Sequence, residues 1–395
     1  MSPERIHSNT IKRLFIIAII AAAATSIPNV ARPQEMSFLF FGDFMQHDPQ
    51  INAAKISAQR FEYDDYFKFI KGLVESVDVA VANLEVTLGG QPYSGYPQFS
   101  APDEYAQSIQ RAGFDILTTA NNHSNDRRSY GLERTLTVLD SLGLTHLGTY
   151  RDSTERNHNY PLIINKSGIK VALLNYTYGT NGIKTSPPNV VNMISEKSML
   201  ADIHKAQKAQ PDKIIAIMHW GAEYRSFPDA YQQKWGEWLL NNGVDIVIGG
   251  HPHWIQPMEY RKDSLGNENL VVWSLGNAVS NQRRRHTDGG ASIQFTLARS
   301  KDGQVGIEQI GYHLHWVWVY TDEDRTHYQL LPVQMLETVA KFMPASHKEQ
   351  CERFIRDERT LYQNHNLSVP EFIYNEHDKT YFLLDPFTIP RILSF

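Results

Sequence analysis

Cysteine is nearly absent from this chain: the 395 residues include one, Cys351. A single thiol excludes an internal disulfide framework and any zinc site built from several cysteines. An excess of positive charge is also missing, because 38 lysines and arginines are outnumbered by 43 aspartates and glutamates. Contacts to phosphates require a basic surface, so this charge balance argues against a nucleic-acid partner.

The composition, with 42% hydrophobic and 21% charged residues, excludes a chain disordered throughout and a multi-span membrane protein. The apolar run at 14–24 follows Lys12 and Arg13 and is shorter than the roughly 20 residues of a membrane-spanning helix. Small residues and Pro28 come next, an order typical of a secretory signal. We predict a signal peptide or N-terminal membrane anchor over residues 1–35, with a buried core helix as the alternative. Either predicted form gives an exported protein, periplasmic or anchored on the extracytoplasmic side of a membrane.

Apolar segments alternate with amphipathic ones through the middle of the chain. Strands are predicted at 36–41, 77–82, 114–119, 170–176, 213–219 and 244–249, and helices at 61–74, 105–111, 132–142 and 231–242. This alternation indicates an α/β fold built from βαβ units. From residue 259 the pattern favours a second, antiparallel sheet, and beyond 321 it predicts helices over 329–342 and 347–364. The predicted domains are therefore 36–320 and a mostly helical C-terminal extension, 321–395.

Polar residues that can bind a cation follow the predicted strands. In α/β sheets, ligands bind beyond the carboxyl ends of the strands. Each residue alone has an ordinary explanation, such as a turn, a helix cap or a partly buried histidine. Five strand ends carrying such residues in one chain predict a metal site. They are Asp43 with His47; Asn83 and Glu85; Asn121, Asn122, His123 and Asp126; His219 with Glu223; and His251 with His253.

The types and number of these residues indicate which metals, and how many of them, the site could hold. Nitrogen and oxygen ligands without thiolate suit Mn, Fe or Zn. The number of ligands exceeds one tetrahedral site, so two adjacent metals are predicted, an arrangement that stabilises attacking and leaving oxygens in hydrolysis. His251 and His253 are predicted to lie two residues apart in an extended segment, which places both imidazoles on one side. The preceding Gly249 and Gly250 allow close approach of the backbone.

Six short motifs in order carry a family resemblance: Gly42-Asp43-Phe44-Met45, Asn83-Leu84-Glu85, Asn121-Asn122-His123-Ser124-Asn125-Asp126, His219-Trp220-Gly221-Ala222-Glu223-Tyr224, Gly250-His251-Pro252-His253 and Ser274-Leu275-Gly276-Asn277. Over residues 36–282 the chain resembles the CapA family of bacterial capsule and poly-γ-glutamate biosynthesis proteins. That family is similar in fold to the calcineurin-like metallophosphatases. The resemblance implies a two-sheet β-sandwich flanked by helices, with metals at the strand ends.

The resemblance also implies roles for single residues. Metal-ligand positions are matched by Asp43, Glu85, Asn122, His219, His251 and His253, and His123 matches the histidine that acts on the leaving group. Met45 stands where the metallophosphatases have a histidine, and Glu85 replaces their bridging aspartate. Ser124 replaces the acid that orients the catalytic histidine, a role that Asp126 could take. The missing imidazole predicts one tightly bound metal and a second, weaker one.

Two further features bear on the substrate. Asn277 follows a tight turn at Gly276 and is predicted to contact substrate. Arg283, Arg284 and Arg285 form a basic cluster, which is either a solvated loop or a platform for a carboxylate or phosphate.

Two classes of function remain open from the sequence. The first is an exported metal-dependent hydrolase or transferase of capsule biosynthesis, acting on an anionic polymer linkage such as a γ-glutamyl amide or a phosphoester. The second is a non-catalytic binding component of an envelope polymer export or assembly complex. Both predict an anionic polymer and a membrane-bound synthesis or export complex as partners.

Overall fold

The computed structural model describes residues 34–262, 266–323, 325–375 and 380–383. The predicted signal or anchor over 1–35 lies outside these ranges apart from its last two residues. Within the described ranges, no helix combines the length and the apolar character needed to cross a membrane.

Strands and helices alternate along the described residues, as the sequence predicted. The strands are β1 Glu35–Phe44, β2 Lys55–Ser57, β3 Arg60–Phe61, β4 Val79–Leu84, β5 Ile116–Thr118, β6 Thr145–Leu147, β7 Thr149–Tyr150, β8 Leu162–Lys166, β9 Ile169–Thr177, β10 Val190–Val191, β11 Lys213–His219, β12 Ile246–Gly250, β13 Ile255–Lys262, β14 Glu268–Leu275, β15 Asn277–Val279, β16 Gly289–Arg299, β17 Val305–Thr321, β18 Thr326–Pro332, β19 Phe372–Asn375 and β20 Thr380–Leu383. The helices are α1 Asp48–Ala54, α2 Asp64–Phe67, α3 Lys71–Val74, α4 Asp103–Arg111, α5 Arg128–Leu142, α6 Ser153–Asn159, α7 Glu196–Lys208, α8 Ala230–Asn241, α9 Leu336–Ala340 and α10 Ala345–His365, with a 3-10 turn at Val333–Met335.

Two large sheets organise the chain. The first has the order β18-β17-β16-β1-β4-β5-β6, with β15 pairing beside the end of β1. In it β1, β4, β5 and β6 run parallel, whereas β16, β17 and β18 are antiparallel. The second sheet has the order β13-β14-β12-β11-β9-β8, with four parallel strands between two antiparallel edges.

Strand β1 shows how the layers are held together. Its alternate side chains point to opposite faces of the sheet. Phe38 and Phe40 join the apolar core shared with the second sheet, whereas Leu39 and Phe41 join the core beneath α2, α3 and α4. Full burial of such a side chain contributes about 2 kcal/mol. The predicted two-sheet β-sandwich flanked by helices is therefore confirmed.

Helices α7 and α8 cover the outer face of the second sheet. Met199 and Ile203 of α7 and Leu239 of α8 are buried in the core of that sheet. Asp229 begins α8 with a capping box, because its carboxylate accepts a hydrogen bond from the Gln232 backbone N–H at 2.9 Å. Gly243, at φ +93°, follows its end.

Two helix predictions are wrong in part. The helix expected over 329–342 begins as strand β18, because Thr326–Pro332 pairs with β17 along its whole length. This pairing is not visible in local periodicity, and it extends the first sheet past residue 321. The helix expected over 61–74 is instead two short helices, α2 and α3. The helix predicted over 347–364 is confirmed as α10, and the domain boundaries themselves stay predictions.

Candidate metal centre

The carboxyl ends of strands from both sheets meet at one edge of the sandwich. Asp43 lies in register with Asn83 on β4 and with Asn277 on β15. In the second sheet, His219 at the end of β11 lies in register with Gly250, the last residue of β12. Parallel pairing thus brings residues distant in sequence to one place, as the strand-end prediction required.

Five of the predicted metal ligands form two overlapping groups. One consists of Asp43, Glu85 and His219, and the other of Glu85, His251 and His253; within each group the ligand atoms lie within 4.8 Å of one another. The shared residue is Glu85, whose Oε1 is 3.5 Å from His219 Nε2. Asp43 Oδ2 is 3.4 Å from His253 Nδ1 and accepts the His251 backbone N–H at 3.1 Å.

Unpartnered polar atoms show that these residues fit a cation. Both carboxyl oxygens of Glu85 are buried and have no hydrogen-bond partner among the described residues. The same holds for Nδ1 of His251 and of His253. An unpaired buried carboxylate costs several kcal/mol, and a divalent cation held by these carboxylates and imidazoles would offset that cost. The donor set of nitrogen and oxygen atoms fits Mn, Fe or Zn.

The acid–base state of the cluster agrees with this assignment. Burial lowers the pKa of His219 to about 3 and moves the pKa of His251 well below its usual range. Both imidazoles are therefore neutral at pH 7, the form that binds metals. Burial and the neighbouring Asp43 carboxylate raise the pKa of Glu85 well above its usual range. A cation that favours the ionised form would reverse that shift.

The histidine turn after β12 has an uncommon backbone. His251 and His253 adopt φ +97° and +59°, so the predicted extended conformation of this segment is wrong. Positive φ at non-glycine residues costs on the order of 1–3 kcal/mol each and is concentrated at functional sites. The turn is possible because Gly249 and Gly250 lack side chains: a Cβ on them would lie 2.1 Å from the Trp273 carbonyl oxygen and 2.9 Å from Asp43 Oδ1.

Three asparagines orient the ligands. Asn83 Nδ2 donates to Asp43 Oδ1 at 2.8 Å and lies 3.3 Å from His219 Nδ1. Asn122 Oδ1 is 2.7 Å from His219 Nε2, while Asn122 Nδ2 donates to Asn181 Oδ1 at 3.3 Å. The Asn181 contact therefore favours the amide orientation in which the Asn122 oxygen faces the cluster. The strand-end pattern included Asn83 without a role, and nothing local in the sequence indicated Asn181, which lies in a loop beyond β9.

His123 and Asp126 form a buried pair beside the cluster. His123 Nδ1 is 2.7 Å from Asp126 Oδ2, and the same oxygen accepts the Phe99 backbone N–H at 2.7 Å. The carboxylate fixes the proton on Nδ1 and leaves Nε2 as the nitrogen able to exchange a proton. Ser124 instead donates to the carbonyls of Thr119 and Asn121, a structural role in the turn.

Comparison with known proteins identifies the family of this strand-end arrangement. A family model described as bacterial capsule synthesis protein PGA_cap matches residues 37–282. The chain belongs to this family. The CapA resemblance inferred from the motifs is thereby confirmed.

Two proteins of similar sequence bear names consistent with this family. The chain is 25% identical over 306 residues to the capsule biosynthesis protein CapA of Bacillus anthracis, covering 71% of each chain. It is 24% identical over 321 residues to the PGA biosynthesis protein CapA of Bacillus subtilis (strain 168), covering 76% of this chain and 78% of the relative. Among solved structures it is similar to the NAD nucleotidase of Haemophilus influenzae, with 13% identity, a TM-score of 0.47, and coverage of 82% of this chain and 62% of that one.

Met45 and His47, which follow Asp43 in this PGA_cap protein, do not join the candidate metal ligands. Met45 is buried in the apolar core beneath the helices, so the position held by histidine in metallophosphatases supplies no imidazole. His47 also lies outside both ligand groups. Its Nδ1 is 3.2 Å from Gln50 Oε1 and 3.3 Å from the Asn281 backbone N–H.

The predicted substrate residues lie in different environments. Asn277 is fully buried, and its Nδ2 donates to Gln282 Oε1 at 3.0 Å and to the Thr287 carbonyl at 2.9 Å, which holds the intervening loop. Arg283 donates to the Val317 carbonyl, and Arg285 forms two hydrogen bonds with Asp357. Arg284 stacks on the Tyr224 ring at 4.6 Å.

Two tyrosines form an aromatic edge around the histidines. The Tyr178 ring is 4.6 Å from the His251 ring, and the Tyr224 ring is 6.0 Å from the His253 ring. Tyr178 is partly exposed, so it is available to a ligand entering the centre. Tyr224 adopts φ +62°, a further sign of a constrained site. Neither tyrosine was assigned a role from the sequence, although Tyr224 stands in the His219 motif, because aromatic residues in loops carry no periodic signal.

Proposed function

We propose that this protein is an exported, metal-dependent hydrolase or transferase that acts on a linkage in an anionic capsule polymer of the poly-γ-glutamate type. The observation that carries the proposal is Glu85, a buried carboxylate without a hydrogen-bond partner among the described residues, shared by two ligand groups. Membership of the PGA_cap family and the name of the Bacillus subtilis relative, a PGA biosynthesis protein, support the polymer class.

The proposed metal site uses Asp43, Glu85, His219, His251 and His253, with Asn122 as the sixth ligand. A bound divalent cation supplies Lewis-acid polarisation of the scissile group and a nucleophilic water at neutral pH. Because Met45 contributes no imidazole, we expect one metal to bind tightly and a second more weakly.

The chain's own proton chemistry centres on His123. Asp126 holds the imidazole through Nδ1, so a proton on Nε2 is positioned for donation to the departing amine or alkoxide. The buried Asp126 carboxylate keeps the imidazole in the tautomer and orientation that this step needs. Water or an acceptor hydroxyl supplies the attacking oxygen, and the bond to the leaving nitrogen or oxygen breaks as that atom gains the His123 proton. The proton that the attacking oxygen loses then restores His123.

The cellular setting is proposed from the N-terminal pattern and the family. An exported protein, periplasmic or membrane-anchored, would meet the polymer as it leaves a membrane-bound synthesis or export complex. Fractionation should place the protein outside the cytoplasm, and a mainly cytoplasmic protein with an intact N-terminus would contradict export.

The second candidate is a non-catalytic binding component of such a complex. The observation that favours it is Met45, packed in the core where metallophosphatases have an imidazole. The two candidates differ in turnover but not in family or location.

One experiment separates the two candidates. The metal-loaded protein is incubated with γ-linked glutamate oligomers and with phosphodiester substrates, alongside His123→Asn as a control that leaves the ligand groups intact. The hydrolase or transferase predicts cleavage or transfer by the wild type and a loss of about a hundredfold in the variant. Equal background rates for both proteins, with metal bound, would assign the binding function instead.

A further inference from the structure

We infer that Arg284, supported by the ring of Tyr224, recognises a single carboxylate of the substrate next to the scissile linkage. This inference rests on the proposed function and names the residue that selects its substrate. It follows from the different partners of the three neighbouring arginines.

Among these arginines, Arg284 is the one whose guanidinium is not committed to an oxygen of the described residues. Arg283 is bonded to the Val317 carbonyl and lies over Trp316, and Arg285 is paired with Asp357 at 2.7 and 2.8 Å. The Arg284 guanidinium carbon instead lies over the Tyr224 ring, 4.6 Å from its centroid. Stacking on an aromatic face leaves the N–H groups at the edge of a guanidinium free for the two-pronged binding of a carboxylate.

Tyr224 ties this arginine to the metal centre. Its backbone N–H donates to the Pro252 carbonyl at 2.8 Å, between the two ligand histidines, and its ring is 6.0 Å from His253. The positive φ of Tyr224 shows that the surrounding structure enforces this position. Arg284 is therefore separated from a proposed metal ligand by one aromatic ring.

The loop that carries Arg284 is fixed at both sides. Asn277 holds Gln282 and the Thr287 carbonyl, and Asn277 itself pairs in register with Asp43. On the other side, His286 is 2.7 Å from Glu358 of α10. Because the loop is held on both sides, Arg284 keeps a fixed position relative to the candidate metal ligands. A residue that positions a substrate needs such a fixed position.

The local charge favours a carboxylate over a more highly charged group. Arg284 is a single cation, and Glu223 precedes its aromatic support in the chain. A single uncommitted guanidinium offers one two-pronged site, which one carboxylate fills, whereas a polyphosphate carries more negative charge than one such cation can pair. A γ-linked glutamate chain carries one carboxylate at each linkage.

The test measures binding by the metal-loaded full-length protein, without reference to turnover. The probes are a γ-linked glutamate oligomer and its counterpart with every free carboxylate converted to an amide, titrated by calorimetry at two salt concentrations. We expect Arg284→Gln to bind the carboxylate oligomer about tenfold more weakly and to lose most of the salt dependence, with binding of the amide oligomer unchanged. Arg285→Gln removes the same charge one residue away and is expected to stay within about twofold of wild type, because its guanidinium is held by Asp357.

Variants of the Tyr224 ring test the inference independently. Tyr224→Phe keeps the stacking face and should bind as wild type, whereas Tyr224→Ala should reproduce Arg284→Gln with metal content retained. The inference is overturned if Arg284→Gln and Arg285→Gln bind alike, or if the wild type does not distinguish the two oligomers. Selective binding without any cleavage would support the inference while refuting the catalytic function, so the two failures are distinguishable.

Discussion

Single hydrogen bonds fix the orientation of the candidate ligands of this centre. Asn122 has an amide whose two ends differ chemically, and the Asn181 contact selects which end meets His219. Partners of this kind beyond the direct ligands typically change metal affinity by about 10- to 100-fold.

The Asn181→Ala variant should therefore weaken metal binding by about tenfold, because the Asn122 amide becomes free to rotate. Competition with a chelator measures the affinity, and Lys184→Ala, an exposed change in the same loop, is the control. Equal affinities for the two variants would show that Asn181 does not orient the ligand.

Asp126 provides a second test at this scale. Asp126→Asn should lower turnover by about a hundredfold, since an amide no longer fixes the tautomer of the His123 ring. Nitrogen chemical shifts of the His123 ring should report the change of tautomer even where turnover is too slow to measure. Unchanged ring shifts together with unchanged turnover would contradict the role assigned to Asp126.

The sequence was most informative for residues that directly follow strands. The grouping of Asp43, Glu85, His219, His251 and His253 could be predicted because each is fixed by an apolar strand or its end. Asn181 could not, since it reaches Asn122 across 59 positions from a loop without a pattern. The three arginines looked alike in sequence, and only their partners Val317, Asp357 and Tyr224 distinguish them.

Among the elements, helix α10 contacts the loop that carries Arg284. His286 lies 2.7 Å from the buried Glu358, and this hydrogen bond raises the pKa of His286 despite its burial. Strand β18 shows the limit of prediction at this scale, because its pairing with β17 overrides a pattern that favoured helix.

Glu358→Gln should destabilise the protein by about 2 kcal/mol at pH 6, because a charge-assisted hydrogen bond is lost in a buried position. The pKa of His286 is raised in the folded state, so the pair stabilises below the ordinary histidine pKa and the contribution falls as pH rises through the folded value. Urea unfolding at pH 6 and pH 9 should show the difference shrinking at the higher pH. Glu352→Gln, which alters an exposed pair in the same helix, should cost less than about 0.5 kcal/mol. Equal effects of the two variants would contradict this account.

At the scale of the whole molecule, two buried histidines on β17 limit stability in acid. Burial lowers the pKa of His313 and of His315 to about 3. Neither ring nitrogen of His315 has a hydrogen-bond partner among the residues that the structure describes. The unfolded chain binds protons on these histidines from about pH 6.5 downward, whereas the folded chain does not, so stability is lost as pH falls from about 6.5 towards 3.

The His315→Leu variant should lack the contribution of one histidine to this loss of stability at low pH. One such histidine accounts for about 2 kcal/mol of the stability lost between pH 7 and pH 5. Urea unfolding at these two pH values should show that much less loss in the variant, whereas His204→Leu, at an exposed site on α7, should follow the wild type. Parallel pH profiles of wild type and His315→Leu would contradict the assignment.

The proposed hydrolase or transferase requires a cation at Glu85. Elemental analysis of the purified protein, after loading with Mn, Fe or Zn and dialysis, tests this directly, with Glu85→Gln as the variant and Glu223→Gln as the matched control. We predict about one metal per chain retained by the wild type and the control, a second lost on dialysis, and almost none retained by Glu85→Gln. A wild-type protein that retains no metal, or a Glu85→Gln variant that retains as much as the wild type, would contradict the central claim.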